Sequence, residues 1–247
     1  MLAAVLLWPA PASAADLGGG RAPDTVVTLR TGADSVVVRA HLLAGCGAGA
    51  VRRRVALAPD GSFSLAARVR GRAPDDGRVR RIARLTVTGR VVGSAATGTA
   101  RVGLAFRRRG RVVGRCASGE RRWRAGTGLY GLTSDAAGRP RAFLLERSLR
   151  RVTTAVFEYR LRCRGGVSER INVTPGGRVA ADGTFALRER FTLRFADARE
   201  RFQVSVRGRF TGSGVVGRVR VSSVARSPEG RVIDRCRSVP ASFTALA

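Results

Sequence analysis

Lysine is absent from this chain, and histidine occurs once, at His41. The 46 basic residues are therefore all arginine; set against 17 acidic ones they give a formal net charge of +29. With one histidine, few groups can take and give a proton near neutral pH. Tyrosine and tryptophan are scarce, two of each, and Tyr130 and Tyr159 are too scattered to make a base-stacking surface of the single-strand-binding kind. No apolar run approaches the roughly 20 residues of a membrane-spanning helix. None of the four cysteines, Cys46, Cys116, Cys163 and Cys236, lies near another in sequence, which argues against a clustered zinc site.

Alanine, glycine, valine and arginine dominate what is there. This usage has the look of GC-rich coding bias, which accounts for arginine in place of lysine. It does not cancel the electrostatic field, and a chain this basic attracts polyanions whatever its evolved role. The start, MLAAVLLWPAPASAAD, places an apolar run from Leu2 to Trp8 before Pro9 and Pro11, and then Ala12-Ser13-Ala14, a small-x-small cleavage pattern. Residues 1–14 are read as a signal peptide and the protein as secreted, with no lipid-bearing cysteine behind the apolar run. In an oxidising compartment the four cysteines are expected as disulfides.

One stretch occurs twice. VTGRVVGSAATGTARV, from Val87, returns as VRGRFTGSGVVGRVRV, from Val206, with Gly89, Gly93 and Gly98 matched by Gly208, Gly212 and Gly217. Polar and apolar residues alternate on either side of a Gly/Ser/Thr-rich centre, so each copy reads as two strands joined by a turn. Cys116 is followed by Trp123 and Cys236 by Phe243 at the same interval. A second matched landmark, Asp60-Gly61 and Asp182-Gly183, sits before Ser62-Phe63-Ser64-Leu65 and Thr184-Phe185-Ala186-Leu187; it is a tight-turn signal, since glycine takes positive φ freely. The expected architecture is all-β: two tandem antiparallel sandwich- or barrel-like domains, 15–125 and 126–247. Four cysteines allow three connectivities. The repeat selects Cys46 with Cys116 and Cys163 with Cys236, one staple per domain, each worth roughly 4 kcal/mol on the chain-entropy model.

Local readings follow from the same signals. Asp16–Asp24 is Gly-rich and reads as a loose arm. FLLERSLRRV, from Phe143, is read as two strands with a turn near Arg147-Ser148 rather than as a helix. Alternating arginines such as Arg68, Arg70 and Arg72, or Arg207 and Arg209, are placed on solvent faces, where they also discourage edge-to-edge pairing. Asp75-Asp76, in a Pro/Gly turn, reads as solvated rather than as a calcium site. GxGxxG occurs at Gly126–Gly131 and Gly212–Gly217 without the helix that a phosphate cradle requires.

Leu129-Tyr130-Gly131-Leu132-Thr133-Ser134, Gly138-Arg139-Pro140, the run into Cys163, Asp182-Gly183-Thr184-Phe185 and Cys236 together resemble a secreted β-domain common in high-GC actinobacterial proteins. Members carry Y-x-G-x-T-S-q-G-x-P near the start and C-x-s-G-x-x-x-W-x-A near the end. The second half resembles the family over nearly its whole length, from about Thr127 to Ala245. The first half does so only from Asp60 through Cys116-Ala117-Ser118-Gly119 to Trp123-Arg124-Ala125. The resemblance implies fold and export and no catalytic activity.

Three functions are carried forward. The favoured one is a non-enzymatic module, without cofactor or metal, adhering to anionic envelope or extracellular polymers and to nucleic acid only non-specifically. Its candidate anion-binding residues are the densest basic runs, Arg52, Arg53 and Arg54, and Arg107, Arg108, Arg109 and Arg111. The second is a neutral-carbohydrate module using Trp123. The third is a hydrolase with His41 as base, although the run VVVRAHLLAGC reads His41 as a half-exposed strand residue, and Trp123 and Phe243 read as core.

Overall fold

The computed structural model describes residues 16–21, 24–73, 77–126, 128–133, 142–164, 166–212, 214–238 and 241–246. The signal segment, Asp75-Asp76 and the Ser134 and Gly138-Arg139-Pro140 motif positions lie outside them. The first half runs β1 (Asp16–Arg21), β2 (Thr25–Thr31), β3 (Ser35–Ala44), β4 (Gly47–Ala56), β5 (Ser62–Arg72), β6 (Arg80–Val92), β7 (Ala95–Arg108), β8 (Arg111–Ala117) and β9 (Arg121–Ala125). The second runs β10 (Leu129–Thr133), β11 (Ala142–Ser148), β12 (Arg151–Cys163), β13 (Gly166–Arg178), β14 (Thr184–Arg194), β15 (Arg199–Thr211), β16 (Gly214–Arg226), β17 (Val232–Ser238) and β18 (Ala241–Leu246). No helix among the described residues is long and apolar enough to cross a membrane.

Each half folds into one nine-stranded antiparallel sheet, and the strand order is the same in both: β4-β3-β2-β1-β9-β7-β6-β5 with β8 on β7, and β13-β12-β11-β10-β18-β16-β15-β14 with β17 on β16. The repeat thus extends over the opening strands, where the sequence alone shows no match. Residues alternate between faces with a period of two, and each sheet curls its apolar face onto itself. Val27, Leu29, Val36, Val38, Leu65, Leu85, Val102 and Trp123 fill the first core; Phe143, Phe157, Leu187, Phe202, Val206, Val219 and Phe243 fill the second. In the second half β17 also pairs with β12 through Leu161↔Ser238 and Arg162↔Arg237, so that sheet is nearly a closed barrel. The predicted disulfides are formed, Cys46 to Cys116 and Cys163 to Cys236, at sequence separations of 70 and 73.

The matched glycines seat the matched aromatics. A Cβ at Gly89 would lie 2.7 Å from the rings of both Phe63 and Trp123, and one at Gly208 would lie 2.6 Å from Phe185. The Asp-Gly turns are also the same device twice. Asp60 Oδ1 accepts the Ser62 amide at 3.0 Å and Asp182 Oδ1 the Thr184 amide at 3.0 Å, while Gly61 and Gly183 take φ of 83° and 82°. Hydrogen bonds from the Ser62 hydroxyl and amide hold the Asp60 carboxyl below the ordinary aspartate range, and those from the Thr184 amide and hydroxyl do so for Asp182. Their contribution is therefore present above the ordinary aspartate pKa and is lost as the pH falls through the lowered one.

Two local expectations need correction. The turn in FLLERSLRRV lies at Leu149-Arg150, just beyond Ser148. Asp16–Arg21 is no loose arm: it is β1, hydrogen-bonded between β2 and β9 in the middle of the first sheet. Its glycines serve close approach rather than freedom. The backbone of Gly19 lies against Gly131 of β10, so that a Cβ at Gly131 would be 2.5 Å from Gly19 N and 2.9 Å from Gly19 O. Both are rigid backbone atoms and cannot swing aside. Gly131→Ala is accordingly expected to cost about 1–3 kcal/mol by overpacking, measured as a lowered denaturant midpoint; an unchanged midpoint would mean that the halves do not close on each other at this contact.

A third apolar cluster, Val26, Leu129, Leu144 and Val156, lies where the two halves meet. Here β2 and β12 are buried on both faces: Val27 and Phe157 point into their own cores while Val26 and Val156 point into the junction.

Candidate anion-binding face

On the polar side of the second sheet, β14 to β18 form a groove of about 1300 Å³ lined by Arg188, Arg190, Arg207, Arg209, Arg218, Arg220 and Arg237, with Gln203, Ser205, Ser222, Ser242 and Thr244 among them and Glu189 as the one carboxylate of the lining. The strand register arranges these side chains in rows. Arg190, Gln203, Ser222 and Arg237 are cross-strand neighbours; the next row is Arg188, Ser205 and Arg220, then Ala186, Arg207, Arg218 and Ser242, then Thr184, Arg209, Val216 and Thr244. Every arginine of the groove is exposed. Among the described residues, none of them has a carboxylate within ion-pairing distance; Arg209 donates to the Asp182 carbonyl at 3.2 Å.

The repeat supplies an internal control. Arg207 and Arg218 pair directly across β15 and β16, beside Gly208 and Gly217. The corresponding residues beside Gly89 and Gly98 are Thr88 and Thr99, also paired, whose hydroxyls hydrogen-bond at 3.0 Å. A stabilising Thr–Thr contact in one half is thus replaced by two like charges face to face in the other. Such opposition costs up to about 1 kcal/mol, and coding bias between arginine and lysine does not account for arginine in place of threonine. An anion between the two guanidinium groups reverses the sign of the interaction.

The basic runs singled out in the sequence lie elsewhere. Arg52, Arg53 and Arg54 are exposed on the edge strand β4. Being consecutive, they point alternately to opposite sides of the sheet, so Arg53 cannot join Arg52 and Arg54 on one ligand; it donates to the Arg52 carbonyl at 2.9 Å. Arg107, Arg108, Arg109 and Arg111 crowd the tip of the β7–β8 hairpin, all exposed, with Arg109 at φ 49°. These tip residues do not enter the groove, which is built from alternate positions of several strands.

His41 is not half-exposed. It is buried to 4% exposure, and its Nε2 faces Oε2 of Glu158, whose side chain is 6% exposed. The two residues come from equivalent strands of the two halves, β3 and β12, and each lies five positions before the cysteine that ends its strand region, Cys46 or Cys163. The same position of each repeat therefore meets its counterpart, as a residue meets itself at a two-fold axis. Both atoms lack another hydrogen-bond partner among the described residues. They are each other's partner across the junction. Substrate has no route to this imidazole. Nearby, Arg124 Nη2 donates to Glu146 Oε1 at 2.7 Å across the rim of the junction, where both side chains are solvated.

Trp123 is 3% exposed and Phe243 likewise 3%; both are core, and Trp123 offers no platform to a sugar. Cys163, Asp234 and Cys236 converge, but the two sulfurs are joined to each other. Asp234 Oδ1 accepts the amides of Arg164 and Arg235 at 2.9 and 2.7 Å, so this group is a braced disulfide and not a metal centre.

No protein-family model, no curated protein and no solved structure matches the chain.

Proposed function

We propose that the protein is a secreted, non-enzymatic β-module of the actinobacterial type that the sequence resembles, and that it adheres to anionic polymers through the polar face of β14–β18. The observation that carries this reading is the opposed pair Arg207 and Arg218 at the centre of an arginine-lined groove, where the other repeat has a neutral hydrogen-bonded pair. The two disulfides accord with an oxidising compartment. The hydrolase and sugar-platform readings have no comparable support, since His41 and Trp123 are both buried.

The test uses the first repeat as the design. Arg207→Thr with Arg218→Thr restores the neutral pair and is expected to leave the fold intact. Retention on an immobilised polyanion should weaken, and the slope of log K against log salt should shrink by about 1.4 to 1.8, as two anion contacts are lost. Arg52→Thr with Arg54→Thr removes the same charge from the edge strand and should leave affinity nearly unchanged. If the two double variants weaken binding equally, only net charge matters and the face is not a site.

A further inference from the structure

Resting on the adhesion reading, we infer that the face is built for a linear phosphodiester polymer of a small polyol, lying along the strands, with about six covalent bonds from one phosphorus to the next. Along the β15–β16 seam the rows present Arg209, then Arg207 with Arg218, then Arg220, and then Ser222 flanked by Arg237. Successive rows are two residues apart, which is about 6.8 Å on an antiparallel strand. An extended chain covers two residues, or six backbone bonds, in about 7 Å. A chain with the linkage P–O–C–C–C–O–P therefore sets one anion over each row. Inorganic polyphosphate, with two bonds between phosphorus atoms, packs its charges at less than half that distance and cannot place one per row.

Anion geometry points the same way. Arg207 and Arg218 approach one site from two adjacent strands, each with a planar fork of N–H donors. A phosphodiester's two non-bridging oxygens share one negative charge and offer enough lone pairs to accept a fork from each side, so a single backbone phosphate can sit between the two guanidinium groups. The groove also lacks a stacking surface: the single aromatic of its lining, Phe243, has its side chain buried. Bases would gain nothing there, although stacking is what single-strand binders rely on. Ser205, Ser222, Ser242, Gln203 and Thr244, interleaved with the arginines, suit the free hydroxyls of a polyol.

The experiment is a competition series with the whole chain at one ionic strength. The probes are a synthetic 1,3-linked poly(glycerol phosphate), inorganic polyphosphate, polyglutamate and oligo-dT, matched for number of charges. The expected result is that poly(glycerol phosphate) competes about tenfold better than polyphosphate and polyglutamate, a difference of about 1.4 kcal/mol. It should match or exceed oligo-dT, and the Arg207→Thr, Arg218→Thr variant should lose the preference. Equal competition by all four overturns the inference and leaves generic adhesion standing. Tighter binding of oligo-dT also overturns it, in favour of single-stranded nucleic acid. Failure of every probe to bind in a salt-dependent way removes the adhesion reading as well.

Discussion

Glu158→Ala is expected to destabilise the protein by about 3–5 kcal/mol, the usual consequence of removing one member of a buried pair. The substitution leaves the His41 imidazole enclosed among Val26, Val156 and their neighbours with no acceptor, and that uncompensated polar group carries most of the loss. Because the pair joins the two halves, the effect should be concentrated at the junction. Denaturant unfolding followed by far-UV circular dichroism is expected to separate into two transitions, one for each sheet. The repeat makes a sharper control available. His41→Glu combined with Glu158→His exchanges the partners at equivalent positions and should stay close to wild type. His41→Glu alone sets two carboxylates against each other and should be worse than Glu158→Ala. Replacing both residues with leucine should be neutral or stabilising, since apolar pairs of similar volume often outperform buried ion pairs. A Glu158→Ala protein within about 1 kcal/mol of wild type, the range of an ordinary substitution, would mean that the contact does not hold the halves together.

Loss of a disulfide is expected to be of similar size, and unequal between the halves. Closing loops of 70 and 73 residues is worth about 4 kcal/mol each in restricted unfolded-state entropy, so on loop length alone the two would be equivalent. The folded state differs. Cys163 and Cys236 join strands that also pair directly, through Leu161↔Ser238 and Arg162↔Arg237. Among the described residues β8 pairs only with β7, and Cys46–Cys116 is its link to the β3–β4 turn. Cys46→Ser with Cys116→Ser should therefore both lower the unfolding midpoint and release β8, seen as lost hydrogen-exchange protection from Arg111 to Ala117. Cys163→Ser with Cys236→Ser should lower the midpoint while β17 keeps its protection. Equal loss of protection in β8 and β17 would show that the extra strand pairing contributes nothing.

The parts of the fold legible in the sequence were those written in local chemistry. Alternation marked most strands; Asp60-Gly61 and Asp182-Gly183 marked turns; and the matched halves selected the disulfide pairing. Gly18-Gly19-Gly20 misled because glycine in a strand carries no alternation and looks like a linker; a Cβ at Gly19 would meet the Arg124 carbonyl and Ala125 of β9, more than a hundred residues away in sequence. A run of arginines is a poor guide to a shared face for a related reason. Consecutive arginines such as Arg52-Arg53-Arg54 are conspicuous in one dimension, but on a strand they diverge, while Arg207 and Arg218 look scattered and converge. One signal was present: setting the repeats side by side puts Arg207 and Arg218 opposite Thr88 and Thr99.

By itself, then, the sequence determined an all-β chain of two matched, disulfide-stapled halves with an excess of positive charge, because period, turn chemistry and cysteine position act over a few residues or are counted directly. Only the tertiary structure decided that His41 of β3 meets Glu158 of β12 across the junction, which turns it from an apparent surface residue into half of a buried pair. It also decided which arginines share a face. Both outcomes depend on what lies opposite a side chain across strands and between halves, and neither is encoded in any residue's own neighbours along the chain.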